Sequence, residues 1–238
     1  MVPVDHIPIA FSAGVPEDRW PDVRAAPHFR RWLEQATARF DLRRVVVRDV
    51  VFFGARVGFI LVDADAWHDG RKVPGAALLR GDSVSVLVVL HCPGHAARTI
   101  LTREPRLPVA CPDLLALPAG MLEGGRLVST ALRELAEEVG TDLAVSADQM
   151  VELTTVWLSP GGCDEAITLY AVDLEIDEAA MRALDGRRTG NAAEHESIRL
   201  HVVDLDAIPR IGRSDAKTLL SYHLYRARDA RRGVATQC

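Results

Sequence analysis

The spacing of apolar residues predicts one helix and two strands in the first 75 residues. VVVRDVVFF and VGFILVDAD are β-branched runs joined by a turn at Gly54, and Asp69-Gly70 marks a hairpin turn. The apolar positions of PHFRRWLEQATARF recur at helical spacing and form one face: Phe29, Trp32, Leu33, Ala36 and Phe40. We expect an accessory region over residues 1–75 with its own strands and one helix.

From about residue 80 the pattern alternates between strands and a few helices. The runs SVSVLVVL, ARTILTRE, DLLALPAG, MVELTTVWL, EAITLYAVDLE and IRLHVVDL predict strands. The closing helix SDAKTLLSYHLYRAR has Ser214 as its candidate N-cap. Its predicted apolar face consists of Ala216, Leu219, Leu220, His223 and Leu224. This order predicts a layered α/β domain over residues 76–230, followed by a flexible tail over 231–238.

Composition narrows the class of protein. The chain has 238 residues, 48% of them hydrophobic, which is enough to bury a sizeable core. A net charge of −5 argues against a nucleic-acid surface, and no apolar run approaches the roughly 20 residues of a membrane span. The N-terminus lacks the basic and apolar regions of a signal peptide, and the four cysteines form no CxxC motif. We therefore expect a cytoplasmic protein with reduced thiols.

The stretch LRELAEEVG places three glutamates on one short helix. Ser129 is the candidate N-cap, Gly140 the predicted stop, and the buried stripe is Leu132, Leu135, Ala136 and Val139. Neighbours three and four apart face one another, so the carboxylates of Glu134, Glu137 and Glu138 can point the same way. Arg133 lies four residues before Glu137 and can steady it by a charge-assisted hydrogen bond.

Two interpretations of this acidic helix stay open. It is either a solvated acidic face or a set of ligands for Mg²⁺ or Mn²⁺, which prefer hard oxygen donors. The preceding LPAGMLEGG favours the second, because a glycine-rich turn lets main-chain groups approach a metal or a phosphate closely. The combination indicates a metal-dependent enzyme acting on phosphates.

AGMLEGG followed by ALRELAEEVG resembles the Nudix box, G-x5-E-x7-R-E-U-x-E-E-x-G-U with U apolar. The second half matches from Arg133 to Gly140, with Thr141 at the last apolar place. The first half departs from the pattern, since the expected glutamate falls on Gly125 or on Arg126 and the loop is one residue short. The resemblance continues through RGDSVSVLVVL, LTREPRLPV, SPGGCDEAITLY and AEHESIRLHVVDL, which are similar to the ADP-sugar pyrophosphatase branch of the family.

This resemblance implies a Nudix fold, an α/β/α sandwich around a mixed sheet, and a homodimer in which the N-terminal region helps to build the partner's site. It also implies roles for particular residues. Metal ligands would be Glu134, Glu138, Glu196 and the carbonyl of Ala119, with Glu137 and Arg133 beside them in the catalytic set. In the later loop, Glu194 would be the general base that activates water.

The resemblance also implies residues that contact the substrate. Arg106 stands at the arginine of the family's E-Q-x-R strand end, where it would contact substrate phosphates, and Arg80 is a further candidate. The E-Q of that motif is replaced by Arg103-Glu104. A solvent-exposed role is the alternative for both arginines.

The implied function is a Mg²⁺-dependent hydrolase that cleaves the pyrophosphate of an ADP-sugar, such as ADP-ribose or ADP-glucose, to AMP and a sugar phosphate. One alternative is a Nudix hydrolase for another nucleotide-sugar, such as GDP-mannose or UDP-glucose. A non-catalytic, nucleotide-binding Nudix module is the other. We expect no nucleic-acid or membrane partner.

Overall fold

The computed structural model of the chain describes residues 6–122, 127–140, 143, 145–190, 197–212 and 215–235. They group into two units. The first comprises Met1–Asp82 and Trp157–Ala166, and the second comprises Ser83–Val156 and Ile167–Cys238. The segment that contains SPGGCDE therefore groups with the N-terminal unit, although in sequence it connects two strands of the second.

The first unit is a five-stranded sheet with two helices. Its strands follow the order β1-β2-β3-β4, with β5 also on β3, and only the β1–β2 pair is parallel. The elements are β1 Ile9–Phe11, α1 Trp20–Ala25, α2 Pro27–Arg39, β2 Asp41–Phe53, β3 Arg56–His68, β4 Arg71–Lys72 and β5 Ala76–Leu79. The predicted helix and long hairpin are confirmed. Phe29 and Leu33 of α2 are buried in this unit's core.

The second unit is built on a mixed eight-stranded sheet in the order β10-β11-β6-β7-β13-β12, with β8 on β7 and β9 on β6. The elements are β6 Ser83–His91, β7 Arg98–Arg106, β8 Cys111–Ala116, β9 Ala119–Met121, α3 Leu127–Glu138, β10 Val151–Trp157, β11 Ala166–Glu175, α4 Glu178–Leu184, β12 Arg188–Thr189, β13 Ile198–Asp204 and α5 Ala216–Ala235. The β11–β6 pair is parallel.

Two apolar clusters cover the two faces of this sheet, and β6 contributes to both. Val86 and Val88 lie in the cluster that contains Leu135 of α3, whereas Leu87 lies in the cluster that contains Tyr225 of α5. A strand buried on both faces is a continuous apolar run, as in SVSVLVVL. The predicted α/β/α layering around a mixed sheet is confirmed. None of the helices among the described residues has the length and apolar character needed to cross a membrane.

The buried face of α5 differs from the predicted one. Ala216 and His223 are exposed, whereas Thr218, Ser221 and Tyr225 are buried. The reason is hydrogen bonding: the Leu117 N–H donates to Oγ1 of Thr218 (3.1 Å), and the Tyr225 hydroxyl donates to Asp173 (2.6 Å). Thr218 and Tyr225 are thus hydrogen-bonded, whereas the Oγ of Ser221 is buried without a hydrogen-bond partner among the described residues.

The same helix is also longer than the sequence suggested. It runs to Ala235, so residues 231–235 of the predicted flexible tail are helical. Alanine and arginine, which recur in this stretch, are among the best helix formers. The candidate N-cap Ser214 lies outside the described residues.

Candidate active site

Helix α3 presents one face to the core and places Glu134 and Glu138 against the main chain of β9. Ala131, Leu135 and Val139 are buried in the cluster beneath it. The helix begins at Leu127, so the predicted N-cap at Ser129 is wrong, because Leu127 and Val128 also pack on the core and extend the helix towards its N-terminus. Its other end is as predicted.

Gly140 ends the helix through its main-chain geometry. Its φ is +116°, a value that L side chains rarely adopt, and its N–H donates to the Leu135 carbonyl (3.3 Å). The same carbonyl also accepts from the Val139 N–H (2.9 Å), so both N–H groups close the last turn of the helix. The glutamates just before Gly140 are thereby fixed in the last turns of a rigid element.

Glu138 is the buried member of the acidic trio. It is 5% exposed, and its Oε2 accepts a hydrogen bond from the Ala119 N–H (3.1 Å). Ala119 begins β9 and is held in place opposite Ser85 of β6. Burial of a carboxylate is costly unless it is hydrogen-bonded or paired, and the Ala119 N–H supplies such a hydrogen bond to Glu138.

Glu134 lies directly against the main chain of the next residue in β9. A Cβ placed on Gly120 would stand 1.8 Å from the Glu134 Cδ and 2.1 Å from its Oε1. Only glycine leaves room for the carboxylate there. The Glu134 side chain is 12% exposed. Ala119 and Gly120 therefore bring the β9 main chain into contact with two of the three glutamates.

Arg133 joins the other two carboxylates. Its Nη2 donates to Oε1 of Glu134 (2.6 Å), and its Nη1 donates to Oε2 of Glu137 (2.8 Å). The Glu137 side chain is 44% exposed, so the solvated-face interpretation describes Glu137 but not Glu134 or Glu138. The guanidinium offsets the repulsion between carboxylates on one helix.

The donor set has the chemistry that a divalent cation prefers, namely carboxylate and carbonyl oxygens. Within the part of the chain that the structure describes, no three His, Cys, Asp or Glu side chains are arranged to hold an ion. The set implied by the resemblance includes Glu196, which lies with Glu194 in the 191–196 segment outside the described residues. Glu134 and Glu138 fit such an ion by the chemistry of their oxygens and by their low exposure, whereas Glu196 of the implied set is not among the described residues.

Two contacts that the sequence did not suggest hold the C-terminal end of α3. The Thr189 hydroxyl donates to the Glu138 carbonyl, and the Arg187 guanidinium donates to the Val139 carbonyl (3.5 Å). A Cβ on Gly140 would lie 2.8 Å from Nη1 of Arg187. A cation and a hydroxyl at the carbonyl end of a helix are both stabilising. Because these residues are about 50 positions from the helix, helical spacing in the sequence does not predict either contact.

Arg106 lies at the end of β7 and pairs with its neighbour on the same strand. Its Nη2 donates to Oε1 of Glu104 (2.7 Å), and the Arg106 side chain is about half exposed. The guanidinium is thus oriented by a carboxylate and is accessible. Its predicted contact with substrate phosphates stays a prediction.

Arg80 belongs to the first unit, where the 157–166 segment holds it. The main-chain N–H groups of Arg80 and Gly81 donate to Oδ1 of Asp164 (2.8 and 3.2 Å). The guanidinium pairs with Glu165 (3.3 Å) and lies 5.5 Å from the Phe59 ring centroid. This cluster fixes the conformation of Arg80, whose role in substrate binding stays a prediction.

Cys163, in the same segment, is not an activated thiol. Burial raises the pKa of the Cys163 thiol, and the neighbouring carboxylates of Asp164 and Glu165 act in the same direction. A raised pKa disfavours the thiolate, which is the nucleophilic form.

Comparison with known proteins identifies the family. The model of the NUDIX domain matches residues 80–222. Nudix hydrolase 14, chloroplastic, from Arabidopsis thaliana is 32% identical over 244 residues, which cover 94% of this chain and 77% of that protein. An ADP-ribose pyrophosphatase from Haemophilus influenzae is 40% identical over 172 residues, 69% of this chain and 67% of that protein.

A more distant relative and a solved structure agree with these matches. An ADP-ribose pyrophosphatase from Bacillus subtilis is 25% identical over 193 residues, 79% of this chain and 94% of that protein. A crystal structure of an ADP compounds hydrolase superposes with a TM-score of 0.57 at 16% identity, covering 82% of this chain and 96% of the other, and supports the fold alone. The resemblance found in the sequence is confirmed: the chain belongs to the Nudix family.

Proposed function

We propose that this chain is a divalent-metal-dependent hydrolase of ADP-sugars that cleaves the diphosphate of ADP-ribose or ADP-glucose and releases AMP and a sugar phosphate. Family membership and the relatives named as pyrophosphatases make it a Nudix pyrophosphatase. The choice of an ADP-sugar is supported by the ADP-ribose pyrophosphatase names of two relatives.

The observation that carries the proposal is the burial of Glu138 and Glu134 against the β9 main chain. A surface acidic face would leave these carboxylates in water, whereas here one accepts a main-chain hydrogen bond and the other fills the space beside Gly120. Negative charge held out of water calls for a cation. Arg133 supplies part of that charge in this structure.

In the proposed reaction, Glu134, Glu138, Glu196 and the Ala119 carbonyl would hold Mg²⁺ or Mn²⁺. Such an ion would supply charge neutralisation for the diphosphate when bound. Glu194 accepts a proton from the attacking water, and Arg106 and Arg80 orient the phosphates. Arg133 keeps the carboxylates of Glu134 and Glu137 in position through the two contacts that it makes.

A substrate panel tests the proposal. ADP-ribose, ADP-glucose, GDP-mannose and UDP-glucose are incubated with Mg²⁺, with Mn²⁺ or with EDTA, and nucleoside monophosphate release is measured by chromatography. We expect AMP from at least one ADP-sugar, and only with a divalent ion. If nucleoside monophosphate were released only from GDP-mannose or UDP-glucose, the substrate would be that nucleotide-sugar and not an ADP-sugar.

A non-catalytic module would behave differently in the same assay. It would bind a nucleotide without turnover, and its affinity would not change in Glu138→Gln. That result would overturn the hydrolase proposal. The proposal includes a homodimer, which light scattering during gel filtration tests. The cytoplasmic location stays a prediction.

A further inference from the structure

Three arginines lie side by side across three neighbouring strands of the second unit. Arg188 of β12 is directly opposite Arg199 of β13, and Arg199 is directly opposite Arg103 of β7. Directly opposite residues of antiparallel strands project from the same face of the sheet. Since neighbouring strands are about 4.8 Å apart, the three Cα atoms span roughly 10 Å. We call these residues the arginine row.

The arginine row contrasts with another pair on the same two strands. At the far end of the β7–β13 ladder, Arg98 is opposite Asp204 and forms an ion pair with it (3.3 Å). Among the described residues, neither Arg103 nor Arg199 has such a carboxylate partner; the Nε of Arg103 is buried without a hydrogen bond, as is the Nε of Arg98. Like charges directly opposite each other destabilise a sheet, and an anion bound among the three guanidinium groups would offset that repulsion.

His201 lies near the arginine row, and burial together with the positive charge of the row lowers its pKa. It lies two residues after Arg199, on the same face of β13, and its Nε2 is buried with no hydrogen-bond partner in the described structure. Burial lowers the pKa of His201, and the charges of Arg103 and Arg199 lower it further, against an opposing contribution from Asp185. The Nε of Arg103 and the Nε2 of His201 are both buried without a hydrogen-bond partner in the described structure. Both lie beside positive charge, and such an environment suits an oxygen-rich ligand.

The row also arises from a departure of this sequence from the family's motif. Arg103 stands where the E-Q-x-R pattern has its glutamate, so the residue facing Arg199 is a cation in this chain. The charge at this position is therefore reversed relative to the motif. Guanidinium groups bind phosphate oxygens through paired N–H donors, which gives Arg a preference for this ligand.

We propose that Arg103, Arg199 and Arg188 form a binding site for a phosphate-class anion on the face of the sheet from which they project. The ligand is inorganic phosphate or the terminal phosphate of a monoester. The proposal does not depend on the hydrolase function, because its test needs neither substrate nor turnover.

Thermal unfolding at constant ionic strength tests the site, with EDTA present and phosphate exchanged for chloride. We expect phosphate to raise the Tm of the unmodified chain by roughly 2–4 °C, a typical shift for modest ligand stabilisation of a chain of this size. Ribose 5-phosphate in a parallel series distinguishes a monoester site, where it acts like phosphate, from a site for free phosphate only.

Arg103→Glu is the decisive variant, because it restores a carboxylate opposite Arg199. Its Tm without phosphate should exceed that of the unmodified chain, and its response to phosphate should disappear. Arg199→Met, which keeps the apolar stem, should also lose the response. Arg98→Gln is the matched control on the same strand: it removes the existing ion pair with Asp204 and should keep the phosphate response.

Three outcomes would overturn the site. The first is no Tm change with phosphate in the unmodified chain. The second is a response that survives Arg103→Glu but is lost in Arg106→Ala, since that would place the anion at the proposed substrate site. The third is a Tm that rises with protein concentration and not with phosphate, because a second copy would then supply the compensating carboxylates.

Discussion

Replacing Gly120 by alanine tests whether the placement of Glu134 matters for catalysis. The backbone of Gly120 does not have a positive φ, so alanine introduces no strain of its own there. The new Cβ would stand 1.8 Å from the Glu134 Cδ and 2.3 Å from its Cγ. Ordinary contact begins at 3.4 Å, so the carboxylate carbon has to retreat by about 1.6 Å.

That displacement sets the size of the expected effect. A misplacement of about 1 Å in a catalytic group costs on the order of 100-fold in rate, which corresponds to about 2.7 kcal/mol of transition-state stabilisation. The fold should lose much less. The Glu134 side chain can rotate away, and its ion pair with the partly exposed Arg133 contributes at most about 1 kcal/mol.

The assay measures AMP release from the best ADP-sugar as a function of Mg²⁺ or Mn²⁺, together with circular dichroism melting of each variant. We expect kcat of Gly120→Ala to fall at least about 100-fold, with a Tm within about 4 °C of the unmodified chain. Gly212→Ala is the control, because a Cβ there meets no atom within 4 Å and its φ is not positive. If Gly120→Ala retained kcat within a factor of about three, the inferred role of Glu134 would be wrong.

Three further predictions follow from other contacts. Glu138→Gln keeps an oxygen for the Ala119 N–H but loses the charge, so turnover should fall by orders of magnitude with unchanged circular dichroism. Thr189→Val removes the donor to the Glu138 carbonyl and should lower the free energy of urea unfolding by about 1 kcal/mol, whereas Thr189→Ser should retain most of it. The pKa of His201 is lower in the folded chain than in the unfolded chain. As the pH drops through about 6.5, the unfolded chain therefore binds a proton on His201 before the folded chain does, and the free energy of unfolding falls. In phosphate-free buffer His201→Asn should show a shallower fall between about pH 7.5 and about pH 5.5, and an unchanged slope would contradict this assignment.

The sequence predicted the elements of the site well where the signals are local. The position of α3, its stop at Gly140 and the pairing of Arg133 with Glu137 all follow from helical spacing and from the conformational freedom of glycine. The family resemblance rested on the same short stretch and is confirmed. Burial of Glu138 did not follow from spacing, because a glutamate on a helix is normally exposed.

The predictions that were wrong concern residues whose environment comes from distant parts of the chain. Ser129 is a good N-cap by composition, but the core beneath α3 also accepts Leu127 and Val128. The buried face of α5 differs from the predicted one because the Leu117 N–H donates to Thr218, which lies more than 100 positions away in the sequence. A periodicity argument weighs apolar residues only, and so it misses a buried polar face.

By itself, then, the sequence determined the succession of helices and strands, the class of fold and the acidic helix with its glycine stop. These depend on interactions between residues a few positions apart. The tertiary structure alone decided that Gly120 leaves room for the Glu134 carboxylate, that Thr189 and Arg187 hold the end of α3, and that Arg103 faces Arg199. Such contacts depend on the register between strands and on the packing of a helix against a strand, and both are set by the whole core rather than by neighbouring residues.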